Sequence, residues 1–153
     1  MKRIIGIIAL LLIFGCSYNT DFYIINTSNK DVIIEYEIRN SSQGQIFISD
    51  PKVAKFDKKL NKIDPEVIEQ VEQVEENRFK IKLKSYQGIL LGYDINFNLK
   101  NKVDYEKLND NMKELRIYKN DRLIIKSDST NTAKLFKKVN RNLIIIDIDK
   151  ASR

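Results

Sequence analysis

The sequence predicts a mainly β protein, a single antiparallel β-sandwich-like domain of about seven to eight strands with minor helices at 51–76 and 131–139. Two observations carry this. Residues 32–38 place Val32, Ile34, Tyr36 and Ile38 on one face and Glu35 and Glu37 on the other, and residues 78–84 set Phe79, Ile81 and Leu83 against Lys80, Lys82 and Lys84. That period of two is the mark of strands with one buried face. The longest such run is Ile89, Leu91, Tyr93, Ile95, Phe97 and Leu99, and Asn, Asp, Ser and Gly punctuate the strands at short intervals.

In chain order, residues 22–26 read as the first strand, 27–31 as a turn, and 45–49 as a short strand after the 41–44 turn. Asp50-Pro51 and Asp64-Pro65 are both helix-start signals, with a capping residue before a proline. Val53, Phe56, Leu60 and Ile63, then Val67, Val71 and Val74, recur at three- or four-residue spacing, so two short amphipathic helices fit. A β segment is the rival there, because Val67 and Ile68 are β-branched. Ile95, flanked by Tyr93 and Phe97, is expected to be buried in a central strand, and Gly92 marks a bulge or a close approach. Residues 101–112 are charged and ambiguous, with room for one helical turn. A hairpin spans 115–126. A two-residue loop at Asn120-Asp121 would oppose Ile117 and Ile124 and mix the faces. A three-residue loop, 119–121, is therefore preferred, setting Ile117 opposite Leu123 and Leu115 opposite Ile125. Residues 131–139 suit a short helix burying Leu135, Phe136 and Val139. The last strand, 142–149, contains the apolar stretch Leu143 to Ile146 and should be buried on both faces.

The N-terminus has a different character. Lys2 and Arg3 precede an uncharged run from Ile4 to Phe14, then Gly15, the sole cysteine Cys16, and a polar segment. A positive start and a short apolar run read as a secretory signal. The run is too short for a spanning helix, which needs roughly 20 apolar residues. Ile13-Phe14-Gly15-Cys16 resembles the lipobox of bacterial lipoproteins, with Phe14 where that family usually has a small residue. The resemblance implies cleavage before Cys16 and a diacylglycerol on its thiol. The organisation is then 1–15 signal peptide, 16–21 lipidated cysteine and short tether, and 22–153 a single β-rich domain. Ser17 after the cysteine resembles an outer-membrane address, facing the periplasm in a Gram-negative host.

Removing 1–15 takes two of the 27 basic residues and none of the 21 acidic ones, leaving 25 against 21, a net charge of +4. That balance does not imply nucleic acid; it suits a surface near anionic headgroups. The chain has no histidine, which rules out Ser-His-Asp and Cys-His nucleophiles and His-containing metal sites. Its single cysteine allows no intrachain disulfide.

Four constellations invite chemistry. Asp94, Asn96 and Asn98 resemble the opening of a calcium loop, but Leu99 and Tyr105 stand where the pattern needs Gly and Glu. Glu35 and Glu37 share a strand face. Lys134, Lys137, Lys138 and Arg141 line one face of the expected short helix. Glu66, Glu69, Glu72, Glu75 and Glu76 form an acidic patch, in which Glu69 and Glu72 are the candidate partner-binding residues. None reaches a catalytic, cofactor or metal site. The expectation is a non-enzymatic, lipid-anchored cell-envelope protein without a cofactor. Its partners are the membrane, through lipid on Cys16, and an envelope protein or wall component; nucleic acid and small-molecule substrates are not implied. The alternative is an accessory or immunity-type lipoprotein of a secretion or toxin system.

Overall fold

A computed structural model describes residues 17–39, 44–63 and 71–152. Two sheets face each other across one main core. The six-stranded sheet has the order β10 (Lys137–Asn140), β11 (Leu143–Asp147), β1 (Asn19–Ile25), β7 (Gln87–Ile95), β3 (Phe47–Phe56) and β4 (Lys62–Ile63). The five-stranded sheet runs β5 (Glu72–Glu75), β6 (Arg78–Leu83), β2 (Val32–Ile38), β8 (Met112–Lys119) and β9 (Arg122–Asp128). The β-sandwich-like fold is thus as expected. It has more strands than expected, and the β1–β11 pair is parallel where an all-antiparallel arrangement was anticipated.

β2 and β6 follow their sequence pattern: Val32, Ile34, Tyr36, Ile38, Phe79, Ile81 and Leu83 are all buried in the core. β1 and β11 are buried on both faces, which is why their apolar runs are unbroken. Phe22, Ile24, Ile144 and Ile146 point into the main core. Tyr23, Ile25 and Ile145 point outward into a second cluster with Ala54 and Phe56.

β7 departs from expectation. Phe22 pairs with Gly92 and Tyr23 with Leu90, so Leu91 is an extra residue and the ladder is bulged there. Ile89 and Leu91 enter the core, but beyond the bulge the faces exchange. Tyr93 is 56% and Ile95 61% exposed, and only Phe97 returns to the core. The expected burial of Ile95 is therefore wrong. Gly92 is both things anticipated of it: it sits in the bulge, and a Cβ there would lie 2.0 Å from the Ile46 carbonyl oxygen.

Residues 51–56, expected as helix, belong to β3. Val53 faces the main core while Ala54 and Phe56 face the outer cluster, so two-sided burial imitates helical spacing. Pro51 lies where β3 loses register with β7, between Phe47 and Lys52. There the missing N–H breaks no ladder bond. Residues 71–76 contribute β5 and a turn; the rest of the second expected helix, 64–70, lies outside the described residues. At 131–139 the helix is a 3₁₀ turn, Thr132–Leu135, followed by β10, with Phe136 buried but Val139 39% exposed. The ambiguous 101–112 segment is helix α1 (Lys102–Asn111), capped by Asn101, whose side chain accepts from the Val103 N–H. It leads from the end of β7 to the start of β8 and buries Leu108 and Asn111. The Asn111 amide accepts from Ile46 N–H at 2.9 Å and donates to the Gly44 carbonyl at 3.0 Å, tying the lead-in of β3 to the helix.

The β8–β9 hairpin has a two-residue loop where three residues were expected. Lys119 pairs with Arg122, and Asn120 and Asp121 both have positive φ, 49° and 59°. A register shift then skips Ile124, so Ile117 meets Ile125 and both stay buried. The bulge resolves the mixed faces that a two-residue loop alone would produce.

Candidate functional site

The outward face of the five-stranded sheet is the most organised polar surface. Register sets two rows of charge across all five strands. Glu72, Lys80, Glu35, Arg116 and Lys126 form one row, and Glu75, Arg78, Glu37, Glu114 and Asp128 the next. Lys80 reaches Glu35 at 3.2 Å. Arg78 lies 3.6 Å from Glu75, 3.8 Å from Glu114 and 4.0 Å from Glu37. Arg116 grips Glu114 at 2.7 Å and 2.9 Å, and Lys113 bonds to Glu37. By register the second row holds four carboxylates and one arginine, and Lys113 and Arg116 add two cations bonded into it, so the face is a lattice of paired opposite charges.

This lattice governs what Glu35 and Glu37 can do. Each has a cation beside it, and the hollow bordered by Tyr36, Arg78, Glu114 and Arg116 measures about 10 Å³, room for one water at most. The arrangement suits recognition of a partner with the complementary charge pattern.

The other candidates fare as follows. Glu72 is exposed on the edge strand β5 and registers with Lys80, so it belongs to the lattice. Glu69 and Cys16 lie outside the described residues. The calcium-like oxygens are committed to the protein. Asp94 pairs with Lys107 at 2.6 Å, Asn96 accepts from the Tyr18 N–H at 3.1 Å, and Asn98 accepts from the Lys100 N–H at 3.1 Å. The four cations do not share a helix face: Lys134 is on the 3₁₀ turn, Lys137 and Lys138 are on the edge strand β10, and Arg141 is in the turn after it. Lysines on an edge strand discourage pairing with another sheet. Where β3 leaves β7, an open groove of about 520 Å³ is lined by Gln45 to Asp50, Lys52 and Tyr93. Among the described residues no group of three or more Asp, Glu, His or Cys is placed to hold a metal ion.

The tether also differs from expectation. β1 already begins at Asn19, so residues 19–21 are sheet. Tyr18 is fixed as well: its carbonyl accepts from the Asn96 N–H at 2.9 Å, its hydroxyl donates to the Phe97 carbonyl at 3.1 Å, and the Arg141 guanidinium lies 4.1 Å from its ring centre.

The sequence reading missed Arg78, Glu114 and Arg116 as members of a common surface. Outward charges on alternating strands were the available signal; their meeting depends on register. Comparison with known proteins adds no assignment: no family model matches the chain, and no curated protein or solved structure matches it.

Proposed function

We propose that the chain is a lipid-anchored protein of the cell envelope that works by binding, without a catalytic group or cofactor. The observation that carries this reading is the Ile13-Phe14-Gly15-Cys16 sequence, set just before a β-sandwich that begins at Asn19. The lipid on Cys16 is the attachment to the membrane. The partner is an envelope protein or wall component, met through the charged sheet face and the neighbouring acidic segment that includes Glu69 and Glu72. That face favours the second reading, an accessory or immunity-type lipoprotein, over a permanent apolar assembly, because charge patterning serves rapid and selective recognition.

Two measurements test the reading. Cys16→Ala should abolish labelling by a clickable palmitate, and undiminished labelling would remove the anchor. Joint reversal of Glu69→Lys and Glu72→Lys should weaken partner capture by in-cell crosslinking with an unchanged melting temperature. Unchanged capture would take this segment out of the interface.

A further inference from the structure

We propose that the end of the sandwich carrying Tyr18 is a membrane-seated surface, on which Ile95 and Val103 enter the headgroup layer of an anionic bilayer and Lys100 and Lys102 meet its phosphates. The proposal rests on the lipid-anchor reading and adds which part of the domain lies on the lipid.

The first support is distance. Tyr18 is bonded to Asn96 and Phe97, so Ser17 alone separates the folded domain from Cys16. Two residue steps span at most about 7 Å, and each headgroup layer is roughly 5–7 Å thick. A lipid in the bilayer therefore holds whatever is bonded to Tyr18 at headgroup depth.

The second support is what the domain exposes there. Ile95 pairs with Asn19 at the very start of β1, and Val103 stands in the first turn of α1, directly after the 96–101 loop that holds Tyr18. Val103 is 66% exposed, Ile95 61% and Tyr93 56%, the three most exposed large apolar side chains among the described residues. Exposed apolar side chains standing singly are ordinary on a protein surface; what distinguishes Ile95 and Val103 is position, one paired with Asn19 and the other just past the loop bonded to Tyr18. An apolar face lying in a bilayer interface sinks about 5–10 Å.

The third support is charge. Lys100 is exposed, and the Lys102 side chain is 88% exposed with its ammonium 3.7 Å from Glu106. Of the nearby acids, Asp104 is engaged by the Asn98 N–H and Glu106 by Lys102. Lys100 and Lys102 are the cations presented there, and Lys102 would exchange its solvent-exposed pairing with Glu106 for a lipid phosphate. This seating leaves the opposite end, with the 57–61 turn and the start of β9, pointing away from the membrane.

The test uses the full acylated chain in vesicles of phosphatidylcholine and phosphatidylglycerol. A thioether at Cys16 does not react with thiol labels, so a cysteine introduced at Ile95, Val103, Lys59 or Arg122 is the only labelling site for nitrobenzoxadiazole. The mass of the N-terminal peptide is read in the same samples. The expected result is a blue-shifted emission, quenched by doxyl lipids, for Ile95→Cys and Val103→Cys and not for Lys59→Cys or Arg122→Cys. Water-like emission at Ile95→Cys and Val103→Cys in an acylated sample overturns the seating and leaves the anchor standing. Lipid-like emission at all four positions also overturns it. An unacylated N-terminal peptide overturns both.

Discussion

Gly92 decides which way the end of β7 faces. With the Ile46 carbonyl packed where a side chain would be, the strand passes through the bulge and turns Tyr93 and Ile95 outward. Leu91→Ala should cost about 2–5 kcal/mol as a core truncation. Ile95→Ala, at a site 61% exposed, should leave the denaturation midpoint nearly unchanged; comparable losses at both positions would contradict the bulged register. Asp147 offers a second test at this scale. It caps the helix Ile148–Ala151, accepts from the Thr27 hydroxyl and lies 3.1 Å from the Lys150 ammonium. Burial opposes its ionisation, but these bonds prevail and hold its carboxyl below the usual value. A depressed folded pKa gives stability that is complete above the unfolded value of about 3.9 and is lost as pH falls through the lower folded value. Asp147→Asn keeps a capping oxygen but loses the charge in these bonds, and should therefore cost up to about 1 kcal/mol near neutrality. Urea melts should show that difference shrinking as the pH is taken below about 4.

The elements differ in how plainly their sequences announce them, and the reason is burial. β2 and β6 bury one face, so their alternation survives intact and both were legible. β3 buries Val53 on one side and Ala54 and Phe56 on the other, with Pro51 at the break, and its pattern imitates a helix. α1 carries only Leu108 and Asn111 as buried residues, so it has no apolar stripe to read. The hairpin is legible in the sequence but its loop length is not, because hydrophobic spacing does not reveal the bulge at Ile124. Asp121, at φ 59°, occupies a conformation that glycine adopts without steric cost. Asp121→Gly should raise stability by up to about 1 kcal/mol and shift the thermal midpoint upward. A lowered midpoint would indicate that the Asp121 side chain contributes a contact that outweighs the strain.

For the whole molecule, the two-sheet architecture was legible while the polar face was not. Glu35 and Glu37 were visible as a pair, but their rows with Arg78, Glu114 and Arg116 exist only once five strands are in register. The same dependence on distant pairing applies to the core. β1, the first strand, lies between β7 and β11, the last strand, and takes Leu143 to Asp147 along its length. A chain ending at residue 142 would lose Ile144 and Ile146 from the main core and Ile145 from the outer cluster. It should be digested by a protease that leaves the full chain intact; equal resistance would show that the sheet closes without β11. The parallel β1–β11 pair also acts as a timer. A chain delivered from its N-terminus presents β1 before either neighbour, so both its edges stay open until β7 emerges and the β11 edge stays open until residues 143–147 follow. The six-stranded sheet is continuous only once β11 has joined it.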